Sequence, residues 1–427
     1  MGLVAIAFFV FMGIGMPIAF AIGISGFLYF LINPNLPLTM PVQFMVTQTQ
    51  NFIMLSIPLF VLAGNLLNET GITRRLVKMA SVLAGHLRGG LAQVNIVLAV
   101  MMGGITSSAI GDATMLGRVL GPGMMERKYK RGFAAGVIGY SSIITTMIPP
   151  GTGLVLYGSI GEVSIGRLFM AGMIPGLLLA VGMMIAISVT AKKHGYKPER
   201  ETRPTMKEVL TVSKQCFWGL MFPVLLLVGM RLGIFTPSEV GACAVVYAIV
   251  VGVFMHKELT WKKLLQAIEN TAVDMGMIML LICLSSLFSY GLVYERIPQM
   301  LVQAMLGIST TPWVVMVILV LFLFLAGTFM DSTVLILLLT STLVPVAHQM
   351  GIDPVHFGIV VVLTMTLGLL TPPEGAVLFI SCSIFKCSIV DFVKESWLLL
   401  LSVGIVILLV VIFPQVSLFL PNLIYGR

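Results

Sequence analysis

The chain has 427 residues, 58% of them hydrophobic and only 10% charged, with a mean hydropathy of +1.06. A soluble domain carries about 25% charged residues, so the shortfall places this chain in a bilayer. The formal net charge of +8 is no sign of nucleic acid, because its Lys and Arg fall in loops between apolar spans, where they set orientation.

Apolar runs long enough to cross, about 20 residues each, occur near 3–32, 52–67, 131–160, 168–191, 215–233, 238–256, 264–294, 356–385 and 396–420. Residues 1–32 have no basic leader and too long an apolar run for a signal peptide, and read as a retained first helix. The amphipathic segment 69–88 is expected to lie along the interface as an arm, with 295–308 as its counterpart. The interrupted runs 91–125 and 313–350 read as helical hairpins. Residues 192–237 form a basic linker and connecting helix, with Lys192, Lys193, Lys197, Arg200, Arg203, Lys207 and Lys214 on the cytoplasmic side. The scheme gives nine crossings and two re-entrant hairpins, N-terminus inside and C-terminus outside.

Pro149-Pro150-Gly151 returns as Pro372-Pro373-Glu374, an offset of 372 − 149 = 223 residues that also pairs Gly104 with Gly327, Leu120 with Leu343 and Pro122 with Pro345. Each half, 1–191 and 238–427, thus holds a hairpin followed by a helix broken at two prolines (131–160 and 356–385). Basic residues flank the first hairpin (Arg74, Arg75, Lys78, Arg88, then Arg127, Lys128, Lys130, Arg131), whereas the second has only Arg296 out to Asp353. Positive charge stays in the cytoplasm, so the copies are expected to lie opposite ways up. The fold class expected is an all-α polytopic membrane protein with two inverted-topology repeats. In such proteins paired broken helices mark the binding site of a secondary transporter.

The first tip, Gly103 to Asp112, and the second, Ala326 to Thr333, offer hydroxyls and turn carbonyls, hard oxygens of the kind sodium takes. Half-helix N-termini there present a positive dipole end to a carboxylate. Asp112 and Asp331 sit in apolar runs, where a central charge costs roughly 2.5–3.5 kcal/mol; cation ligand, substrate partner and helix cap are all open for each. Proline removes an amide, so carbonyls near 145–148 and 368–371 are expected to lose helical partners. Glu374 and Asp274 are further carboxylates at membrane depth. The five cysteines and five histidines are scattered, without disulfide or metal spacing. No Walker loop, GxGxxG after a strand, HExxH or GxSxG occurs, and no enzyme is expected.

The two copies, GGITSSAIGDATMLGRVLGPGM…MIPPG and AGTFMDSTVLILLLTSTLVP…LTPPEG, resemble the large membrane subunit of the tripartite ATP-independent periplasmic (TRAP) transporters over essentially the whole chain. The resemblance implies a sodium-coupled, elevator-type permease of a bacterial inner membrane, with a scaffold and a moving transport domain. It implies two partners, a small four-helix membrane subunit and a soluble periplasmic substrate-binding protein. It also implies an organic acid as substrate: a C4-dicarboxylate, sialic acid or a sugar acid. Carried over by motif, one Na+ site would use Ser107, Ser108 and the break at Ile148 and Pro149. The other would use Gly327, Thr328 and Asp331 with the break at Thr371 and Pro372. Substrate would lie between the tips, near Ser108, Asp112, Thr145 and Thr146. The rival readings are a stand-alone sodium/dicarboxylate symporter of related fold and a channel or structural membrane subunit.

Overall fold

The computed structural model describes residues 2–50, 52–106, 108–200, 202–231, 235–309, 311–372 and 375–426. Most of these residues are helical, with no strand among them. The first half runs α1 (Gly2–Gly13), α2 (Ile18–Ile32), α3 (Met40–Thr49), α4 (Ser56–Glu69), α5 (Ile72–Ala84), α6 (Gly90–Met102), α7 (Ala109–Glu126), α8 (Arg131–Met147), α9 (Thr152–Ile160) and α10 (Ile165–His194). The rest runs α11 (Met206–Arg231), α12 (Pro237–Val250), α13 (Trp261–Tyr294), α14 (Ile297–Ile308), α15 (Pro312–Gly327), α16 (Ser332–Gln349), α17 (Pro354–Gly368), α18 (Ala376–Phe385), α19 (Ile389–Ile412) and α20 (Gln415–Tyr425).

Among the described residues seven helices are long and apolar enough to cross a bilayer, or eight if α8 and α9, bent by 44° at their break, count as one. The nine apolar runs do not map one to one onto these helices, for local reasons. The run 3–32 is two helices, because Gly15 turns the chain at φ +82° and Pro17, at the head of α2, has no amide to continue the ladder. The run 396–420 divides at Phe413-Pro414 into the end of α19 and the short α20. The run 356–385 is α17 and α18 separated by residues 369–375, the break expected at the second diproline. The basic linker is shorter than expected, since only 195–205 lies between helices α10 and α11. It is docked as well: Tyr196 stacks on Tyr129 at 4.3 Å, and the amides of Glu199 and Arg200 donate to Gly85 O.

Both hairpins and both broken helices pack together. Helix α8 touches α6, α7, α17 and α18, α7 touches α18, and α17 touches α9, α15 and α16. Helices α8 and α17 are buried along almost their entire length, which is why their sequences are apolar all round rather than striped. Lipid gives no hydrophobic drive for helix pairing, so close approach rests on small residues. The Gly132-xxx-Gly136 pair of α8 is such a seam: α19 lies so near that a Cβ at Gly136 would overlap Ser396 and one at Gly132 would overlap the Asp391 carbonyl. Around this unit stand helices whose outward residues are large and apolar, among them Phe217, Leu225 and Val228 of α11 and Val273, Met277 and Leu280 of α13.

The amphipathic segment forms α5. Its apolar stripe, Ile72, Leu76, Met79 and Ala80, is buried against α6 and α11. Arg75 donates to the Glu258 carboxylate at 2.6 Å and Arg74 at 3.1 Å, tying the arm to the turn before α13. The basic loops meet at one end of the molecule: Lys130 pairs with Glu395 at 3.4 Å, Lys130 N donates to the Tyr196 hydroxyl and Arg131 donates to Lys386 O.

Candidate functional site

The tip of hairpin α6–α7 rests on the end of α8. Ser108 is the N-cap of α7 and its Oγ accepts from Gly111 N at 3.3 Å, as a residue leaving an extended conformation into a helix does. One turn further on, Asp112 is fully buried. Neither of its carboxylate oxygens accepts a hydrogen bond from a described residue. The hydroxyls of Thr106 and Thr145 stand against it, and both also donate elsewhere, Thr106 to Met102 O at 3.1 Å and Thr145 to Ser142 O at 2.7 Å. A hydroxyl that has given its proton to a carbonyl presents only lone pairs to its other neighbours. While both hydroxyls donate to their own backbone, the Asp112 carboxylate receives no proton from either.

The end of α8 adds more oxygens of the same kind. Ser141, Ser142, Thr145 and Thr146 are buried, and each donates back to the carbonyl three residues earlier. Pro149 and Pro150 supply no amide for the carbonyls of Thr145 and Thr146, and no described residue outside the helix donates to either. Asn95 of α6 fixes the helix in place, with Nδ2 donating to Ser141 Oγ at 2.7 Å and to Val137 O at 3.3 Å.

The second tip has the same backbone plan and a different use of its polar atoms. Asp331, at the offset of 223 from Ser108, is the N-cap of α16 and accepts from Thr333 N at 2.8 Å. Of the roles left open for Asp331, the cap is the one seen. Thr328 donates to Leu325 O. Beyond Gly368 two of the carbonyls expected to lose helical partners find new donors. Gly368 O accepts both the amide and the hydroxyl of Thr371, at 3.0 and 2.9 Å, and Leu369 O accepts the amides of Val377 and Leu378 at 3.1 and 3.2 Å. The seven-residue break folds the start of α18 back over the end of α17; the four-residue break after α8 has no such slack. Gly327 and Gly368 meet backbone to backbone, which only glycine permits.

Of the residues picked from sequence, the structure brings Asp112 and Thr145 together and sets Gly327 against the end of α17. Ile148 and Pro149 form the first break and are buried, Thr146 faces its own helix, Thr371 is buried and Pro372 exposed. Ser107, Pro373 and Glu374 lie outside the described residues. Asp274 has no ion pair among the described residues. Sequence reasoning missed Thr106 and Asn95. Thr106 stands in the quoted tip beside two serines with nothing to single it out, and Asn95 is a lone amide in an apolar run, a signal that a polar residue in a span does give.

Comparison with known proteins decides the family. The model of the tripartite ATP-independent periplasmic transporter, DctM component, matches residues 5–416. The chain belongs to the DctM family. It is 35% identical over 414 residues to the sialic acid TRAP transporter large permease protein SiaM of Vibrio cholerae, covering 96% of each chain. It is 32% identical over 424 residues to the C4-dicarboxylate TRAP transporter large permease protein DctM of Rhodobacter capsulatus, again covering 96% of each. Among solved structures, the YdaH transporter of Alcanivorax borkumensis shares the fold, with a TM-score of 0.60, 13% identity and 88% of both chains covered. A DctM-family chain is a transporter permease and not an enzyme. The TRAP assignment made from the two broken repeats stands, as does the all-helical, multi-span fold.

Proposed function

We propose that this chain is the sodium-coupled permease subunit of a bacterial inner-membrane TRAP transporter. It would work with a small four-helix membrane subunit and a periplasmic binding protein that delivers an organic acid, sialic acid or a C4-dicarboxylate, as for the relatives named above. The observation that carries the reading is Asp112, buried and unpaired among described residues and facing hydroxyls already engaged as donors. That arrangement repels until a cation or proton enters. Unwound carbonyls of broken helices coordinate sodium in secondary transporters, and the Thr145 and Thr146 carbonyls are of that kind. We assign Asp112, Thr145 and the break at Ile148 and Pro149 to the first sodium, with Ser107 and Ser108 at the tip. A second sodium would sit at Gly327 and Thr328 against Thr371 and Pro372, with Asp331 holding that tip as the N-cap of α16. The acid would lie between the tips, its carboxylate at the N-terminus of α7 beside Ser108.

The two halves would be inverted repeats, with the basic end cytoplasmic. The hairpins and broken helices would slide as one body, elevator fashion, past α4 and α11, which touch the first tip at Gly64–Ile105 and Pro223–Gly104. The test is uptake of radiolabelled N-acetylneuraminate and succinate into proteoliposomes holding this chain and its small partner. Uptake should require both binding protein and an inward sodium gradient. Uptake with sodium alone would make it a stand-alone symporter, and uptake indifferent to sodium would remove the ion sites.

A further inference from the structure

Helix α7 is buried against α6, α8 and α18 on most sides, but one strip along it is open: Ser108, Gly111, Arg118, Val119 and Pro122. Its neighbour α18 and the break before it are open at Pro372, Phe379, Ser383 and Lys386. The two strips lie side by side, since Gly117 of α7 packs on Ile384 and Gly121 on Phe385, which sets Arg118 level with Ser383. Elsewhere the outward positions midway along the long helices are mostly apolar, as lipid demands, apart from the Gln266, Glu269 and Asn270 stretch of α13 and the glycines Gly276 and Gly404. Here they include glycine, two serines and two cations. Arg118 stands about 12–14 Å from either end of α7 at 1.5 Å per residue, with no hydrogen bond or ion pair to any described residue. An unpaired cation at that height faces a water-filled cavity or a functional partner far more often than lipid. The corresponding hairpin helix α16 shows nothing similar: no residue from Ser332 to Ala347 is exposed.

We infer that the open faces of α7 and α18 form one wall of an aqueous path from the first tip to the basic end, and that Arg118 holds the departing carboxylate part-way along it. The inference deepens the carrier reading and rests on it. Among the described residues the exposed strip runs along the first hairpin's return helix and has no counterpart on α16. A carboxylate leaving Ser108 and Gly111 would meet Arg118 about two and a half turns down, then Lys386, which lies beside Arg131. Arg118 is thereby a positioning residue for release, distinct from the tip groups that bind.

The test needs no transport. Ser383→Cys, in a chain whose five native cysteines are replaced by serine, is reconstituted in nanodiscs. It is then labelled with an anionic methanethiosulfonate (sulfonatoethyl) and a cationic one (trimethylammonium-ethyl), with Leu225→Cys as the lipid-facing control. Ser383→Cys should label readily and Leu225→Cys should not. Adding Arg118→Gln should lower the anionic-to-cationic rate ratio about tenfold, the effect of removing one charge a few ångströms away in water. Absence of labelling at Ser383→Cys in the bilayer, or a ratio unmoved by Arg118→Gln, would overturn the path. Should the cysteine-free chain not fold, Arg118→Gln in the native chain serves. Its KM for succinate or N-acetylneuraminate entering from the basic end should rise about fivefold with kcat little changed, and Arg118→Lys should restore it. An unchanged KM overturns the inference. Failure of the unmodified chain to carry any acid removes the carrier reading instead, so the two failures are distinct.

Discussion

Hairpin α6–α7 with the break after α8, and hairpin α15–α16 with the break after α17, stand 223 residues apart and share a plan. Each tip opens its second helix with a side-chain cap, Ser108 in one and Asp331 in the other. Each break follows a buried helix and contains two prolines. The polar atoms then diverge. The first copy buries a carboxylate, Asp112, where the second has Leu335 at the same offset. In the second copy, Thr371 and the amides of α18 take up the carbonyls that proline released; in the first, Thr145 O and Thr146 O have no described donor beyond their helix. A helix break supplies potential ligands, and whether they remain available depends on how far the following chain can fold back. Four residues cannot reach, and seven can.

The sharpest way to break this contrast is Asp112→Asn, which keeps the shape and removes the charge. Sodium-driven uptake should fall at least a hundredfold. Sodium at 100 Kd stabilises by about 2.7 kcal/mol when it binds only the folded state, and a thermal-unfolding assay in sodium against choline should lose that increment in the variant. Retention of both signals would place the cation elsewhere.

Next in size are paired hydroxyl deletions. Thr145→Val removes one back-bond to the helix, as does Thr371→Val, and each such bond contributes about 1 kcal/mol. Only Thr145 borders Asp112, so uptake should drop roughly tenfold in Thr145→Val and less than threefold in Thr371→Val. Equal losses would mean the second break is as active as the first.

Gly368→Ala probes packing rather than ligands. Its Cβ would run into the Gly327 backbone, and backbone cannot yield as a side chain does, so a loss of about 1–3 kcal/mol is expected from denaturant or thermal unfolding. Asp331→Asn should be milder, because Asn is as good an N-cap as Asp. Its uptake should stay within about threefold of the parent, and a collapse comparable to that of Asp112→Asn would return Asp331 to the sodium site.

The smallest effect concerns the arms. Burial works to raise the Glu258 carboxyl, but the Arg75 guanidinium, with Arg74 and Lys263, outweighs it and holds the group below its ordinary range. A carboxyl lowered in the folded state contributes stability above its unfolded pKa of about 4.3, and that contribution is lost as pH falls through the folded value. Glu258→Gln should therefore cost at most about 1 kcal/mol at neutral pH and approach zero cost in acid. A cost independent of pH would assign the role of Glu258 to packing.

Much of this architecture was legible because its causes are local or periodic. The diprolines, the glycine-rich tip and the length of the apolar runs follow from backbone chemistry and bilayer thickness, and they pointed to the family before any contact was known. Helix continuity was less legible. The run 3–32 is apolar throughout, so hydropathy counts one helix where Gly15 and Pro17 make two, and a Pro-containing join likewise hides α20 at the end of a long run. Asp112 was visible as a misplaced charge, whereas its isolation was not, because that depends on Thr106 and Thr145 giving their protons to their own helices.

The sequence alone determined that the chain lives in a membrane, that it carries two hairpins and two broken helices, and that a carboxylate sits where a charge is expensive. These follow from composition, proline chemistry and repetition, which need no knowledge of neighbours. Only the tertiary structure decided that Asp331 is a cap, that Gly368 and Leu369 are re-satisfied, and that Arg118 opens onto a face shared with α18. Hydrogen-bond capacity and exposure belong to pairs of elements distant in the chain, and no local pattern encodes which oxygen has already found its donor.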